Sequence, residues 1–425
     1  MKWRYFLFQL KSFLVNPKNV GLFIITIVLS LYFGLVSVPN HTVIEQVNPR
    51  PIRKEYIDNK AFLKVARGEV ALAHKPGYHY FPSKRANDAV YTYPKVLAYD
   101  RKLLGALKKN DMNAYARYAS MRYKYVDDLI FEKSNRAFLY PAAYNKNAYN
   151  KNESYILEGH YGYQRTLHLY NALLESNKDK KTPLNKNILE ERTALQVMQN
   201  SLSGWTVLLL VVMVCFFTAD IVTNDRKYYT VLENIPLTKR TILWLKTGAV
   251  EVGVLLNFVV AGIIALFCIA PKYGLGSLKL NTVDYLGQIN FKSTFRTETL
   301  GMYYLQFIIF AVIITFIFIR LTILLSIVLR NEYVAGIISS LFAISAKMLY
   351  FSLGMGFAYP ILEKLPMTYF SIGDSTTGSL AYLMDVPGWS FTVGIKPLLY
   401  LALTIEILLF LFTQIKSIPL VRRGD

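Results

Sequence analysis

Of the 425 residues in this chain, 53% are hydrophobic, and 48 Lys and Arg against 28 Asp and Glu give a formal net charge of +20. A mean hydropathy of +0.28 and several long apolar runs exclude an ordinary soluble globular protein and predict a chain that crosses a membrane. A basic chain can also bind nucleic acid, but here the basic residues flank the apolar runs or lie in one large polar region. We therefore predict membrane lipids as partners and no nucleic acid.

The N-terminal segment, residues 1–17, is predicted to be an amphipathic helix lying in the membrane interface. Its apolar residues recur at helical spacing and form one stripe: Trp3, Phe6, Leu7, Leu10, Phe13 and Leu14. Pro17 ends this pattern, and the apolar run over residues 18–38 predicts the first transmembrane helix. This run lacks the small-residue cleavage pattern of a signal peptide, so we expect it to remain as a membrane anchor.

Residues 39–203 are rich in Tyr, Lys and Asn and contain no run long enough to cross a bilayer. We predict a mostly helical extracellular domain here. One helix is predicted to start at Asp111, a good N-cap residue, and to run to Leu129. A second is predicted to start with Thr182 as cap and Pro183 at its first position, and to continue without a break into the next span.

The polar chemistry of the chain points away from catalysis and metal binding. The five histidines follow no metal-ligand spacing, and the two cysteines, Cys215 and Cys268, lie in apolar runs, so we predict neither a metal site nor a disulfide. No paired-carboxylate, Ser/His/Asp or Cys/His arrangement stands out in the sequence. The chain is therefore not predicted to be an enzyme.

Five further apolar runs predict the remaining transmembrane helices, at residues 204–223, 243–270, 303–328, 333–357 and 395–416. Between them lie a predicted extracellular loop at 271–302 and a segment at 358–394, rich in Pro and Gly, that is predicted to re-enter the membrane as a broken helix. The predicted fold is thus mainly α, with six transmembrane helices. The short basic loops all fall on one side, which predicts a multi-pass protein of the cell membrane with both termini, including residues 417–425, in the cytoplasm.

Residues 224–242, the longest predicted cytoplasmic loop, are named the coupling segment. Asn224 can cap a short helix, whose apolar edge includes Tyr229 and Leu232, and Pro236 ends it before the next span begins. A rigid helix at the cytoplasmic surface predicts a contact with another protein. The residues assigned to this contact are Asp225, Arg226, Lys227, Tyr228, Tyr229, Leu232, Glu233, Ile235 and Pro236.

The coupling segment resembles the coupling-helix region of the ABC-2 family of ABC exporter permeases. In that family an acidic residue is followed, in this order, by a leucine-rich turn, a proline, a basic residue and a lysine in the next span. Those places are taken here by Asp225, Leu232, Pro236, Lys239 or Arg240, and Lys246. The interface helix, the six spans and the large domain after the first span are similar to the family's layout. One departure is that Lys227 and Tyr228 stand where the family commonly has a glycine and a threonine.

The resemblance implies that ATP and Mg²⁺ are bound by a separate ABC ATPase, present in two copies, and that this chain holds no cofactor. The sequence agrees, since it contains no G-x-x-x-x-G-K-[ST] loop. A second permease chain, identical or homologous, would complete the complex. The implied activity is outward movement of an amphipathic or anionic substrate, such as a peptide, a lipid or a lipid-linked molecule.

Four charged residues fall well inside the predicted spans, away from their ends: Glu251, Arg320, Lys347 and Glu406. A charge in the hydrocarbon region is costly unless it is paired or faces water. From their depth along the helices we predict the pairs Glu251 with Arg320 and Lys347 with Glu406. Such pairs hold helices together or line a path for substrate or protons, and the sequence leaves both readings open.

Two other functions remain compatible with the sequence. A sensory or mechanically transmitting membrane protein would bind a ligand in the extracellular domain and relay the signal through the spans. A membrane-embedded transferase would need clustered polar catalytic groups at one face, which the sequence does not display.

Overall fold

The computed structural model describes residues 1–41, 43, 46–77, 81–129, 155–177, 183–223, 235–289, 292–348, 361–379, 381 and 389–414. These residues are mostly helical. Their helices are α1 (Lys2–Val15), α2 (Pro17–Tyr32), α3 (Val38–Asn40), α4 (Pro49–Ala73), α5 (Lys84–Lys108), α6 (Met112–Asp127), α7 (Tyr155–Ser176), α8 (Lys186–Leu189), α9 (Ala194–Ser201), α10 (Trp205–Thr218), α11 (Lys239–Tyr273), α12 (Leu300–Leu329), α13 (Glu332–Ala346), α14 (Ile372–Thr376) and α15 (Phe391–Gln414). A π-helical turn, Phe33–Ser37, joins α2 to α3.

Five helices among the described residues are long and apolar enough to cross a membrane. They are Pro17–Asn40, Trp205–Thr223, Lys239–Tyr273, Leu300–Leu329 and Phe391–Thr413. The prediction of an α-helical polytopic membrane protein is therefore confirmed. Helix α13, at the position of the predicted fifth span, is apolar but shorter, and residues 349–360 lie outside the described range. The total of six spans stays a prediction.

The N-terminal helix and the first span are separate, as the sequence predicted. Asn16 stands between α1 and α2, and its side chain accepts a hydrogen bond from the Lys18 backbone N–H at 3.0 Å, so it caps α2 ahead of Pro17. Helix α1 packs along α11, burying Phe13, while Trp3 remains 67% exposed. Part of the apolar stripe of α1 is thus buried against α11, and part of it is exposed.

The largest apolar cluster joins the spanning helices around α12. It includes Phe217 of α10, Val254 of α11, Phe318 of α12 and Leu398 of α15, each nearly inaccessible. More of α12 is buried than of any other spanning helix described. Helix α12 is therefore the central helix, and α10, α11, α13 and α15 pack against it.

Helices α4 to α8 form a second body of helices, named the large domain, and α9 packs against α11 and α12. Helices α4 and α5 pack as one pair and α6 and α7 as another, and apolar clusters fill the space between them. The helix predicted to start at Asp111 is confirmed, because the Asp111 carboxylate accepts a hydrogen bond from the Ala114 N–H at 2.9 Å. The membrane side on which this domain lies stays a prediction.

The predicted continuous helix from Thr182 into the second span is wrong. Thr182 lies outside the described residues, and the chain that follows forms three separate helices, α8, α9 and α10. The breaks fall at Glu191 and Gly204, whose φ angles are +51° and +63°. The second break lets the Gly204 N–H donate to the Asp374 carboxylate at 2.9 Å, so a contact distant in sequence outweighs the local helical pattern.

The predicted loop at 271–302 contains an antiparallel hairpin of β1 (Asn281–Ile289) and β2 (Lys292–Thr299). Asp284 pairs with Arg296 across the strands, and a bulge follows Tyr285. The Asn281 side chain donates to the Ala172 carbonyl at 3.0 Å, which fastens the hairpin to α7 of the large domain. The fold remains mainly α, with this hairpin between α11 and α12.

The described part of the segment predicted to re-enter the membrane consists of short turns. They are the 3₁₀ turns Leu362–Lys364 and Pro366–Phe370, followed by α14. The Phe370 ring lies 4.9 Å from the Phe318 ring and 5.6 Å from the Phe342 ring, so these turns pack into the core formed by the spans. Residues 368–373 of this irregular stretch are buried, and buried protein is where a membrane tolerates irregular backbone.

Candidate functional site

Most residues of the predicted ATPase contact lie outside the described residues: Asp225, Arg226, Lys227, Tyr228, Tyr229, Leu232 and Glu233. Ile235 and Pro236 are described and lie in a bend, where the Leu237 N–H donates to the Ile235 carbonyl at 2.7 Å. Thr238 then caps α11 through its hydroxyl oxygen. The helix predicted in the coupling segment stays a prediction, and the structure shows what its two ends are attached to.

The two residues that lead into the coupling segment, Asp220 and Thr223, are attached to two other parts of the fold. The Asp220 carboxylate, just beyond α10, accepts hydrogen bonds from the Lys18 ammonium and, at 2.9 Å, from the Asn16 side chain. Lys18 also donates to the Phe216 carbonyl at 2.7 Å. Thr223 donates to the Glu332 carboxylate at the start of α13. The last turn of the second span is therefore bound to the α1–α2 junction and to α13.

The end of the coupling segment leads directly into α11, which contacts α1 along one face. A Cβ on Gly253 would lie 2.5 Å from the Phe13 ring, so α1 and α11 approach closely only because this residue has no side chain. At Gly248 the spacing is looser, because a Cβ there would be 3.6 Å from Phe6. Movement of the coupling segment would thus reach both α1 and α11.

One buried charge joins three spanning helices. The Arg320 guanidinium on α12 is 2% exposed and makes a two-pronged ion pair with Glu406 of α15, with Nη2 2.6 Å from Oε2. Its Nη1 donates to the Thr247 hydroxyl of α11 at 3.1 Å, and its Cζ lies 4.5 Å from the centre of the Trp244 ring. Carboxylate, hydroxyl and aromatic face together compensate the charge. These four residues are named the arginine cluster.

Both predicted charge pairs are wrong. Arg320 pairs with Glu406 instead of Glu251, and the Lys347 ammonium lies 3.7 Å from the Asp374 carboxylate instead of pairing with Glu406. Arg320 and Glu406 stand nine and eight residues from the ends of their helices, which is about 13 Å at the helical rise. Depth allowed this pairing, but depth alone cannot show that α12 packs against α15 at this level.

Glu251 has no hydrogen bond or ion pair to another residue in the described part of the chain. It nonetheless lies near the arginine cluster, because Trp244, Thr247 and Glu251 follow the spacing i, i+3, i+7 on one face of α11. Sequence reasoning found Glu251 but missed Trp244 and Thr247. The signal that points to them is this helical spacing, which places an aromatic ring and a hydroxyl on the same face as Glu251.

A third polar group lies in the hairpin, between the large domain and the spans. Arg296 Nη2 is 2.9 Å from the Asp284 carboxylate and 3.5 Å from that of Glu298, so two acids share one base. Gln306 of α12 donates to Glu298 at 3.0 Å. Burial and the neighbouring Glu298 charge raise the pKa of Asp284 to about 7 despite Arg296, and burial also raises the pKa of Glu298.

Within the part of the chain that the structure describes, no group of three or more His, Cys, Asp or Glu side chains is arranged to hold a metal ion. Comparisons with protein-family models, with curated proteins and with solved structures find no match to this chain.

Proposed function

We propose that this chain is the membrane-spanning permease subunit of an ATP-driven ABC exporter. The observation that carries the proposal is the order of residues from Asp225 to Lys246, which resembles the ABC-2 coupling region, begins after one spanning helix and ends inside the next. The chain would hydrolyse nothing itself. A partner ABC ATPase, in two copies, would bind ATP and Mg²⁺ and push on the coupling segment.

The attachments of the coupling segment support this role. Asp220 and Thr223, just before it, bind the α1–α2 junction, α2 and α13, and its end continues as α11. Helix α11 in turn reaches α12 and α15 through the arginine cluster. A push on this short segment would therefore move most of the described spanning helices together instead of bending one loop.

The rest of the proposal concerns the assembly and its cargo. Two permease chains, identical or homologous, would form the path through the cell membrane, with both termini in the cytoplasm and the large domain outside. The positive charge and aromatic content of the chain favour an amphipathic or anionic cargo, such as a peptide, a lipid or a lipid-linked molecule.

A sensory or mechanically transmitting protein is the alternative, and one feature favours it. A cavity of about 430 Å³ lies between the large domain and the spans, with Arg165, Asp374 and Phe33 among its walls. A ligand bound there would contact both bodies at once, which suits a signal passed from the large domain to the membrane.

Co-purification tests the ATPase contact. The tagged full-length chain, extracted from its own cells in mild detergent, should carry ATP hydrolysis with it. Tyr229→Asp with Leu232→Asp should abolish that activity in the eluate, because both changes place a charge on the predicted apolar edge. A matched control is Leu72→Asp with Tyr91→Asp, since both residues are exposed in the large domain.

The control pair should leave the co-purified ATP hydrolysis unchanged. If the coupling-segment pair retains full ATP hydrolysis in the eluate, the ATPase does not dock there. If the unaltered chain brings down no ATP hydrolysis at all, the exporter proposal fails.

A further inference from the structure

A cavity of about 550 Å³ lies in the large domain, between the start of α4, the α5–α6 turn and α8. Asn110, with a φ of +53°, turns the chain sharply from α5 into α6, so that Lys108 and Met112 border the same space. The cavity is open on one side and large enough for the head of a lipid.

The charges around this cavity are of one sign. Arg53, Lys108 and Lys186 line it, and no acidic residue does. Two carboxylates lie close by, but both have other partners. Asp111 caps α6 by accepting from the Ala114 N–H, and Glu190 accepts from the Val47 N–H at 2.9 Å and lies 3.6 Å from Arg192.

Lys186 is only loosely engaged. Its ammonium lies 3.6 Å from the Glu190 carboxylate, and its side chain is 56% exposed. Arg53 and Lys108 have no ion pair with a residue in the described ranges. The cavity therefore presents two cations without an ion pair among the described residues, beside a third, Lys186, that is half exposed and held by one long ion pair.

The walls between the charges are apolar. Val47, Leu104, Leu107 and Met112 line the cavity. Val47, Leu107 and Met112 also belong to, or pack against, the apolar cluster that contains Leu300, the first residue of the spanning helix α12. Asn187, which follows Lys186 on α8, donates to the carbonyl of Tyr273, the last residue of the spanning helix α11, at 3.0 Å. This bond places the α8 wall of the cavity beside the end of a spanning helix, where lipid headgroups lie.

We propose that this cavity binds an anionic amphiphile, in which a phosphate group is attached to an apolar chain. Arg53, Lys108 and Lys186 hold the phosphate, the arginine by two parallel N–H donors and the lysines as point charges. The apolar chain lies against Leu104, Leu107 and Met112. This site is separate from the coupling segment, so it stands whether or not an ATPase drives the protein.

The full-length protein in nanodiscs of phosphatidylcholine with a minor fraction of phosphatidylglycerol provides the test, with native mass spectrometry counting the retained lipids. The pocket variant combines Arg53→Gln, Lys108→Gln and Lys186→Gln. The control variant combines Lys64→Gln, Arg67→Gln and Lys75→Gln, which removes equal charge from exposed sites. Lys64, the nearest of these, stands eleven residues beyond Arg53, about 16 Å along α4.

The unaltered and control proteins should retain phosphatidylglycerol, and the pocket variant should lose affinity on the order of a hundredfold, at roughly 1 kcal/mol for each cation. Excess inorganic phosphate should displace little of the lipid, because it cannot use the apolar wall. Equal retention by the pocket and control variants would overturn the proposal. Full displacement by inorganic phosphate would also overturn it, because the site would then bind a free anion. Circular dichroism would verify that all three proteins are folded.

Discussion

At the scale of single residues, the arginine cluster shows how a charge buried among the spanning helices is compensated. Arg320 is compensated on three sides, and every group that compensates it belongs to another helix. Removing one partner would leave a buried charge without its counterion, whereas replacing both partners by apolar residues would remove the charge altogether. These two kinds of change therefore have different consequences.

Glu406→Ala should lower the free energy of unfolding by about 3–5 kcal/mol, because it leaves Arg320 buried and unpaired. The double variant Arg320→Leu with Glu406→Leu should recover most of that loss. Thermal unfolding of the purified chain in one detergent would compare them. Glu251→Gln is the control and should change stability by less than about 1 kcal/mol, since the described residues give Glu251 no ion pair. A loss with Glu251→Gln as large as with Glu406→Ala would contradict the pairing described here.

The raised pKa of Asp284 should make the stability of the protein depend on pH. Its pKa is raised from 3.8 to about 7, so the folded state binds a proton more tightly than the unfolded state. The stabilisation from this proton is complete below the unfolded pKa and is lost as the pH rises from about 4 to about 7. The melting temperature should therefore fall across this window.

Asp284→Asn should remove that part of the fall, because the amide does not titrate. Asp58→Asn, at an exposed position on α4, should leave it unchanged. Melting curves of the three proteins at several pH values make the comparison. An identical pH profile in Asp284→Asn and in the unaltered protein would contradict the role given to Asp284.

At the scale of elements, the contact between α1 and α11 depends on glycine. Gly253→Ala should push the Phe13 ring away, and this ring already packs 5.7 Å from Phe217 and 6.0 Å from Phe23. Overpacking of this kind costs about 1–3 kcal/mol, measured as a loss of thermal stability. Gly248→Ala is the matched control, since Gly248 also lies against α1, and it should cost much less, because a Cβ there meets Phe6 at an ordinary distance. Equal costs for the two variants would contradict the close approach at Gly253.

Elements specified by local chemistry could be predicted from the sequence. The break at Asn16 and Pro17, the cap at Asp111 and the long apolar helices were all correct in kind. Their predicted bounds were too narrow in places, since α11 extends from residue 239 to 273 where 243–270 was predicted. Apolar length indicates the part of a helix inside the membrane, but hydrogen-bonded helix continues beyond it.

Elements specified by distant contacts could not be predicted. The break at Gly204 depends on Asp374, which lies 170 positions further along the chain, and the hairpin is fastened to α7. The partners of buried charges could not be predicted either, because they depend on which helices are neighbours and on how each helix is rotated about its axis. The sequence thus identified which charged residues are costly to bury. Which partner compensates each charge depends on how α12 packs between its neighbours.

At the scale of the whole molecule, the described contacts connect the residues on both sides of the coupling segment to the spans. These connections form two branches, one through Asp220 to the α1–α2 junction and one through α11 to the arginine cluster. The segment between the two branches is predicted from sequence alone, by its resemblance to the ABC-2 coupling region, and it stays a prediction. Neither branch was predictable, because each consists of side-chain contacts between helices far apart in sequence.

Such connections can transmit force from a cytoplasmic ATPase only if the coupling segment faces the cytoplasm. A single cysteine at the predicted docking position, Tyr229→Cys, in a background of Cys215→Ala and Cys268→Ala, would report its side by reaction with a membrane-impermeant maleimide. The proposed function predicts modification in inside-out membrane vesicles and none in intact cells. Modification in intact cells would place the segment outside and contradict the account.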